Sequence, residues 1–202
     1  MEISGITRRA IRAGVLLTLV AVFGQVVTQS IDFGFYDLRL APLNSNVHAS
    51  IFGVISITAQ GATAVAIAAR ARTASLPIAW AALAAVVGVL TVVRVVTSYN
   101  AALLIVPVAV VFVLVWQLTG ADQPPTRAVV RVGLLLLVLS FVVHAVGAAL
   151  VTALGYSADS WPYEIKSMLK HSSEMAGWML LAAGLLASAR HSRGGRDVSR
   201  AS

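Results

Sequence analysis

Lys170, His171 and Glu174 stand three and four residues apart, a spacing that puts an ammonium, an imidazole and a carboxylate on one face of a helix. Such a set can bind an ion, hold and pass a proton, or contribute ligands to a metal. Ser167, Gly177 and Trp178 share the face, whereas Ile165, Met168, Leu169, Met175 and Ala176 lie elsewhere. The hydrophobic segment around it, Ile165 to Ala189, has an uninterrupted apolar part of only 13 residues, Met175 to Ala187. Crossing the ~30 Å hydrocarbon core of a bilayer takes roughly 20 helical residues. A spanning helix must therefore carry the charged stripe in with it. Ionisable residues at that depth face a bundle interior or a wet cavity, which makes the stripe the first candidate site.

Other segments supply matching stripes. Gln25, Thr28, Gln29 and Asp32 recur at i, i+3, i+4 and i+7, followed more weakly by Gly53, Ser56, Gln60 and Thr63. Gly88, Thr91, Arg94 and Ser98 form a third stripe, and Ser140, His144 and Gly147 a fourth. His144 and His171 lie roughly 15 Å and 9 Å from the same end of their helices, so a packed pair would bring them to similar depth. Gln25, Gln29, Asp32, Arg94, His144, Lys170, His171 and Glu174 are accordingly predicted to line one outward-facing polar pocket, open to the outside and closed below. Glu174 is expected to pair with Arg94 or Lys170, because an unpaired charge at such depth costs at least a few kcal/mol. Lys166, and to a lesser extent Lys170, also read as anchors whose ammonium groups reach back to the interface. Gly177, Gly184 and the many alanines read as close-packing positions.

Three functions fit these residues. Binding or translocation of a small polar solute, ion or proton asks least of them and is the leading expectation. A membrane enzyme or redox subunit is the second, with His48, His144 and His171 as metal ligands or His144 and His171 holding haem; no H-E-x-x-H spacing supports a zinc hydrolase. The third is an accessory subunit whose stripes bind partner helices or further copies of this chain. Whether the protein is an enzyme stays open, and no phosphate loop, nucleophile elbow or serine triad occurs.

The elements that must position these groups follow from composition. Of 202 residues, 58% are hydrophobic and 11% charged, and the mean hydropathy is +0.87, which predicts an all-helical multi-pass membrane protein. Six segments are expected to cross: Ala13 to Ile31, Ala49 to Ala69, Leu76 to Val96, Ala101 to Leu118, Ala128 to Leu154, and Ile165 to Ala189. The fourth has almost no polar side chain between Ala101 and Val115 and reads as lipid-facing. With both termini in the cytoplasm, eleven basic residues fall on the inner side and four on the outer, which fits the positive-inside rule and a plasma (inner) membrane location. The same arginines account for the basic charge without nucleic acid, no binding motif for which is present. There is no cysteine, so disulfides, thiolate ligands and iron–sulfur clusters are excluded.

Arg8, Arg9 and Arg12 precede an apolar run of about 18 residues, too long for a signal-peptide core, and an uncleaved first helix is expected. The longest connection runs from Asp32 to Val47, and Thr119 to Thr126, with Pro124-Pro125, reads as a helix stop and linker. Residues 1–189 are expected to form one transmembrane domain, and residues 190–202 a disordered basic cytoplasmic tail. The stretch His171-Ser172-Ser173-Glu174-Met175-Ala176-Gly177-Trp178 resembles the final helix of some uncharacterised bacterial multi-pass membrane proteins, which carry a Glu followed by a small-residue Gly-Trp pair. The resemblance covers about a tenth of the chain and implies a helical membrane bundle with a functional Glu174.

Overall fold

The protein is described as a computed structural model covering residues 5–30, 50–96, 101–157 and 160–200. Among them are six helices and no strand: α1 (Gly5–Ser30), α2 (Ile51–Ala71), α3 (Pro77–Val96), α4 (Ala101–Leu118), α5 (Pro124–Ala153) and α6 (Trp161–Arg200). Asp32, His48 and the Asp32 to Val47 connection lie outside the described residues, as do the side chains of Gln25, Thr28 and Gln29 on α1.

Local chemistry explains the helix ends. Ser50 caps α2, its Oγ accepting from the Gly53 N–H at 3.3 Å. α5 ends with Gly155 at φ 70°, the Gly155 N–H bonding Thr152 O at 3.1 Å and the Tyr156 N–H bonding Val151 O at 3.0 Å. These two bonds satisfy carbonyls that the helix end would otherwise leave open, and the left-handed φ suits glycine. The expected linker at Pro124-Pro125 is instead the first turn of α5. Proline is accommodated there because first-turn N–H groups have no intrahelical partner to lose. α6 likewise begins at Trp161-Pro162, before the expected Ile165, with Glu164 in the first turn where the helix dipole favours an acid. Its backbone runs on as helix to Arg200, past the residue-189 boundary at which composition suggests a tail.

α6 is the hub. It packs most extensively on α5, then on α2 and α1, while α3 packs on α2 and α4 touches only the edges of α3 and α5. Phe52 lies beside His171, Thr63 beside Trp178, and Arg70 beside Ser188, so α2 and α6 run in the same direction. α5 runs against α6, with Gly147 at Lys166 and Val130 at Gly184, and α3 runs against α2, with Arg94 at Gln60 and Trp80 at Arg70.

The core is small-residue packing reinforced by aliphatic side chains. A Cβ on Gly133 would stand 3.0 Å from Gly177 O, and one on Gly184 would stand 2.7 Å from Val130 Cγ2, so α5 and α6 approach backbone to backbone. The expectation for Gly177 and Gly184 is met. Leu134, Leu137, Leu181, Leu185 and Ile67 fill the space around this seam.

Polarity is inverted relative to a water-soluble bundle. Ile78 is 84% exposed and Val106 71%, whereas Gln60 is 4% exposed and Thr63 0%. A continuous apolar exterior around buried polar groups fits contact with a lipid bilayer. By length and apolarity, three helices (α2, α3 and α5) can cross a membrane; the described apolar stretches Ile11–Gly24 and Val106–Leu118 are shorter. α4 exposes Val106, Val110, Val113 and Trp116 and buries Val111 and Val115, agreeing with its expected position at the lipid-facing edge.

Candidate functional site

Arg94 occupies the last turn of α3, where its cation complements the helix dipole, and reaches across to α6. There its Nη1 forms an ion pair with Glu174 Oε1 and donates to Gln60 Oε1 of α2 at 3.2 Å. The other carboxylate oxygen, Glu174 Oε2, lies 3.9 Å from His171 Nδ1 one turn earlier on α6. The His171 ring is tilted against Phe52 of α2, with centroids 6.5 Å apart. The side chains of Arg94, Glu174 and His171 keep only 12%, 16% and 19% of their exposure, so this network is largely withdrawn from the surface. The expected pairing of Glu174 is met by Arg94.

Further polar groups surround it. Lys170 lies within electrostatic range of Glu174 and Arg94, and His144 of α5 within range of Lys166, Lys170 and Glu174. Lys166 turns away toward the helix end, its stem crossing Gly147 and its Nζ 3.9 Å from the Tyr163 ring centroid, as an anchoring residue would. Gly147 leaves room for that stem, since a Cβ there would stand 2.6 Å from Lys166 Cγ. Ser56, between Phe52 and Gln60 on the α2 face toward α6, is 2% exposed, and its Oγ has no hydrogen-bond partner. Ser172 Oγ is in the same condition. Buried hydroxyls normally find partners, so the Ser56 hydroxyl, on the α2 face between Phe52 and Gln60, is a hydrogen-bonding group that the described fold leaves unused.

The metal expectation is only partly represented. His48 lies outside the described residues, and among those described no three His, Cys, Asp or Glu side chains are grouped to hold a metal ion. The remaining site residues of the sequence prediction, Gln25, Gln29 and Asp32, also fall outside the described side chains.

The opposite end holds a second polar cluster that the sequence did not reveal. Arg70, from the last turn of α2, bonds Asp122 Oδ1 at 2.5 Å and Ser188 O at 3.4 Å, and its guanidinium lies 5.9 Å from the Trp80 ring centroid. Ser188 Oγ donates to Asp122 Oδ2 at 2.9 Å. Asp122 thereby ties the α4–α5 connection to both α2 and α6. By sequence Arg70 is explained as a flanking charge alone, and the available signal was that Asp122 is the single acid in the two helix connections on that side.

Between the clusters the described interior is mostly apolar, with Thr63 Oγ1 donating to Trp178 O at 3.3 Å. Along α6 from Glu174 to Ser188, roughly 21 Å of helix, the buried side chains include Met175, Trp178, Leu181 and Leu185. The arrangement gathers its charged and hydrogen-bonding groups at the two ends of the described bundle, Arg94–Glu174 at one and Arg70–Asp122 at the other. Comparison with protein-family models, characterised proteins and solved structures returns no match.

Proposed function

We propose that this chain is an integral plasma-membrane protein of six spans, both termini cytoplasmic, whose outer end binds or translocates a small polar solute, ion or proton at the Arg94–Glu174 network. The observation that carries the reading is an ion pair with two further polar partners, Gln60 and His171, and an unsatisfied buried hydroxyl at Ser56, enclosed in a bundle that is apolar outside. Charges at such depth are costly and are kept where they do work on a ligand or a proton. The alternating directions of α2, α3, α5 and α6 support an up-and-down topology; in the proposed orientation, which rests on the positive-inside rule, the Arg70–Asp122 cluster is on the arginine-rich inner side and the Arg94–Glu174 network on the outer side.

The test uses the full chain in two formats. In liposomes loaded with a pH-sensitive dye, an imposed pH gradient reads proton movement; in detergent, unfolding temperature is measured against a panel of amino acids, carboxylates and sugars. Wild type is expected to respond in one format and the Arg94→Gln/Glu174→Gln double variant, which removes both charges together, in neither. Identical behaviour of the two proteins in both formats overturns the reading.

A further inference from the structure

A shallow cavity of about 210 Å³ runs between α4 and α5, lined by Phe112, Val113 and Trp116 on one side and Leu134, Leu135 and Val138 on the other. It opens outward, because α4 packs only lightly on its neighbours; Trp116 is 40% exposed and Leu135 57%. On α5 the lining residues continue a single stripe, i−3, i−4 and i−7, back to Arg131, and one turn further to Arg127. The Arg131 guanidinium lies 4.5 Å from the Trp116 ring centroid, at the foot of the cavity. Among the described residues it has neither an ion-pair nor a hydrogen-bond partner, and its Nε is buried and unsatisfied. Arg127 donates to Gly120 O at 2.9 Å and has no carboxylate partner there either. Asp122, the nearby acid, has both oxygens engaged by Arg70 and Ser188 and cannot neutralise these two arginines.

We infer that the α4–α5 groove is a binding site for an anionic phospholipid of the surrounding bilayer. The phosphate is held by Arg131 with Arg127 behind it, and one acyl chain lies along Trp116, Leu135 and Val138. The stripe is amphipathic along its length: two cations, then apolar side chains. From Arg131 to Val138 it covers roughly 10 Å, most of the ~15 Å depth of one hydrocarbon leaflet. A zwitterionic lipid offers the same chain, but its own ammonium group competes with the arginines for the phosphate; a soluble phosphate offers charge with nothing for the groove. Basic pockets between helices at a membrane surface select anionic headgroups for this reason. The site shares no residue with the Arg94–Glu174 network and does not depend on what that network does; it requires only that the apolar exterior face lipid.

The full chain, purified and delipidated in detergent, is titrated separately with phosphatidylglycerol, with phosphatidylcholine of the same chains, and with glycerol 3-phosphate. Bound lipid is counted by native mass spectrometry. Phosphatidylglycerol is expected to bind selectively, glycerol 3-phosphate not to bind. Arg131→Gln should weaken phosphatidylglycerol about fivefold, and Leu135→Trp, which fills the groove from an exposed position, should weaken it comparably. Unchanged unfolding temperatures without lipid show that both variants fold. Equal binding of the two lipids, wild-type affinity in either variant, or saturable binding of glycerol 3-phosphate each overturns the inference.

Discussion

The carbonyl oxygen of Gly133 lies 2.9 Å from where a Cβ on Gly177 would stand, so α5 and α6 meet through their backbones. Leu137 Cγ closes the same spot at 2.7 Å. Gly177→Ala should therefore push the helices apart and cost roughly 1–3 kcal/mol, the range for overpacking a tight contact. Gly88→Ala provides the contrast: no atom lies within 4 Å of a Cβ there, and the gain in helix propensity should leave stability equal or slightly higher. Thermal unfolding in detergent distinguishes the two, and similar behaviour of both variants would contradict the packing.

The Arg94–Glu174 pair should show strong coupling. Removing either charge alone leaves its partner in a largely buried position, which costs roughly 3–5 kcal/mol for a fully buried pair. The lower end is expected here, since the two side chains retain 12% and 16% exposure. The double variant Arg94→Gln/Glu174→Gln should be more stable than either single one. Additive effects in denaturant unfolding would show that the pair is not the unit.

Ser56→Ala separates stability from binding. Its hydroxyl is buried without a partner, a condition that costs roughly 1–3 kcal/mol where desolvation is complete. Deleting it should leave the ligand-free unfolding temperature unchanged or raise it. Loss of stability would mean that the hydroxyl is engaged within the fold.

At the opposite end, Asp122→Asn should free the α4–α5 connection, because Asp122 ties it to both Arg70 and Ser188. Limited proteolysis should then cut within residues 119–123 several-fold faster. Ser188→Ala, which removes one hydrogen bond and leaves the ion pair, should lower stability by about 1 kcal/mol. An unaltered cleavage pattern in Asp122→Asn would count against the clamp.

Much of this architecture is legible in the sequence where one physical rule acts alone. α4 matches its expected bounds, α3 begins one residue later than expected, and α2 is displaced by two at each end, because long apolar runs bounded by polar residues admit little else. The starts of α5 and α6 were not legible, because Pro124-Pro125 and Pro162 signal a stop when read as interior residues and a start when read as first-turn residues. Arg94 with Glu174 was legible since each is hard to explain without the other. Arg70 with Asp122 was not, because positive-inside topology accounts for Arg70 with no partner at all. The positive-inside rule likewise accounts for the cation of Arg131, and only its position over Trp116 ties it to the α4–α5 groove.

α6 is the most enclosed of the described helices yet the least apolar, and it follows the other five in the chain. A helix carrying Lys170, His171 and Glu174 gains little by entering lipid on its own. Its place in the bundle therefore rests on the neighbours that cover it rather than on its own apolarity, with Arg94, itself held by Gln60, supplying the countercharge its carboxylate lacks alone.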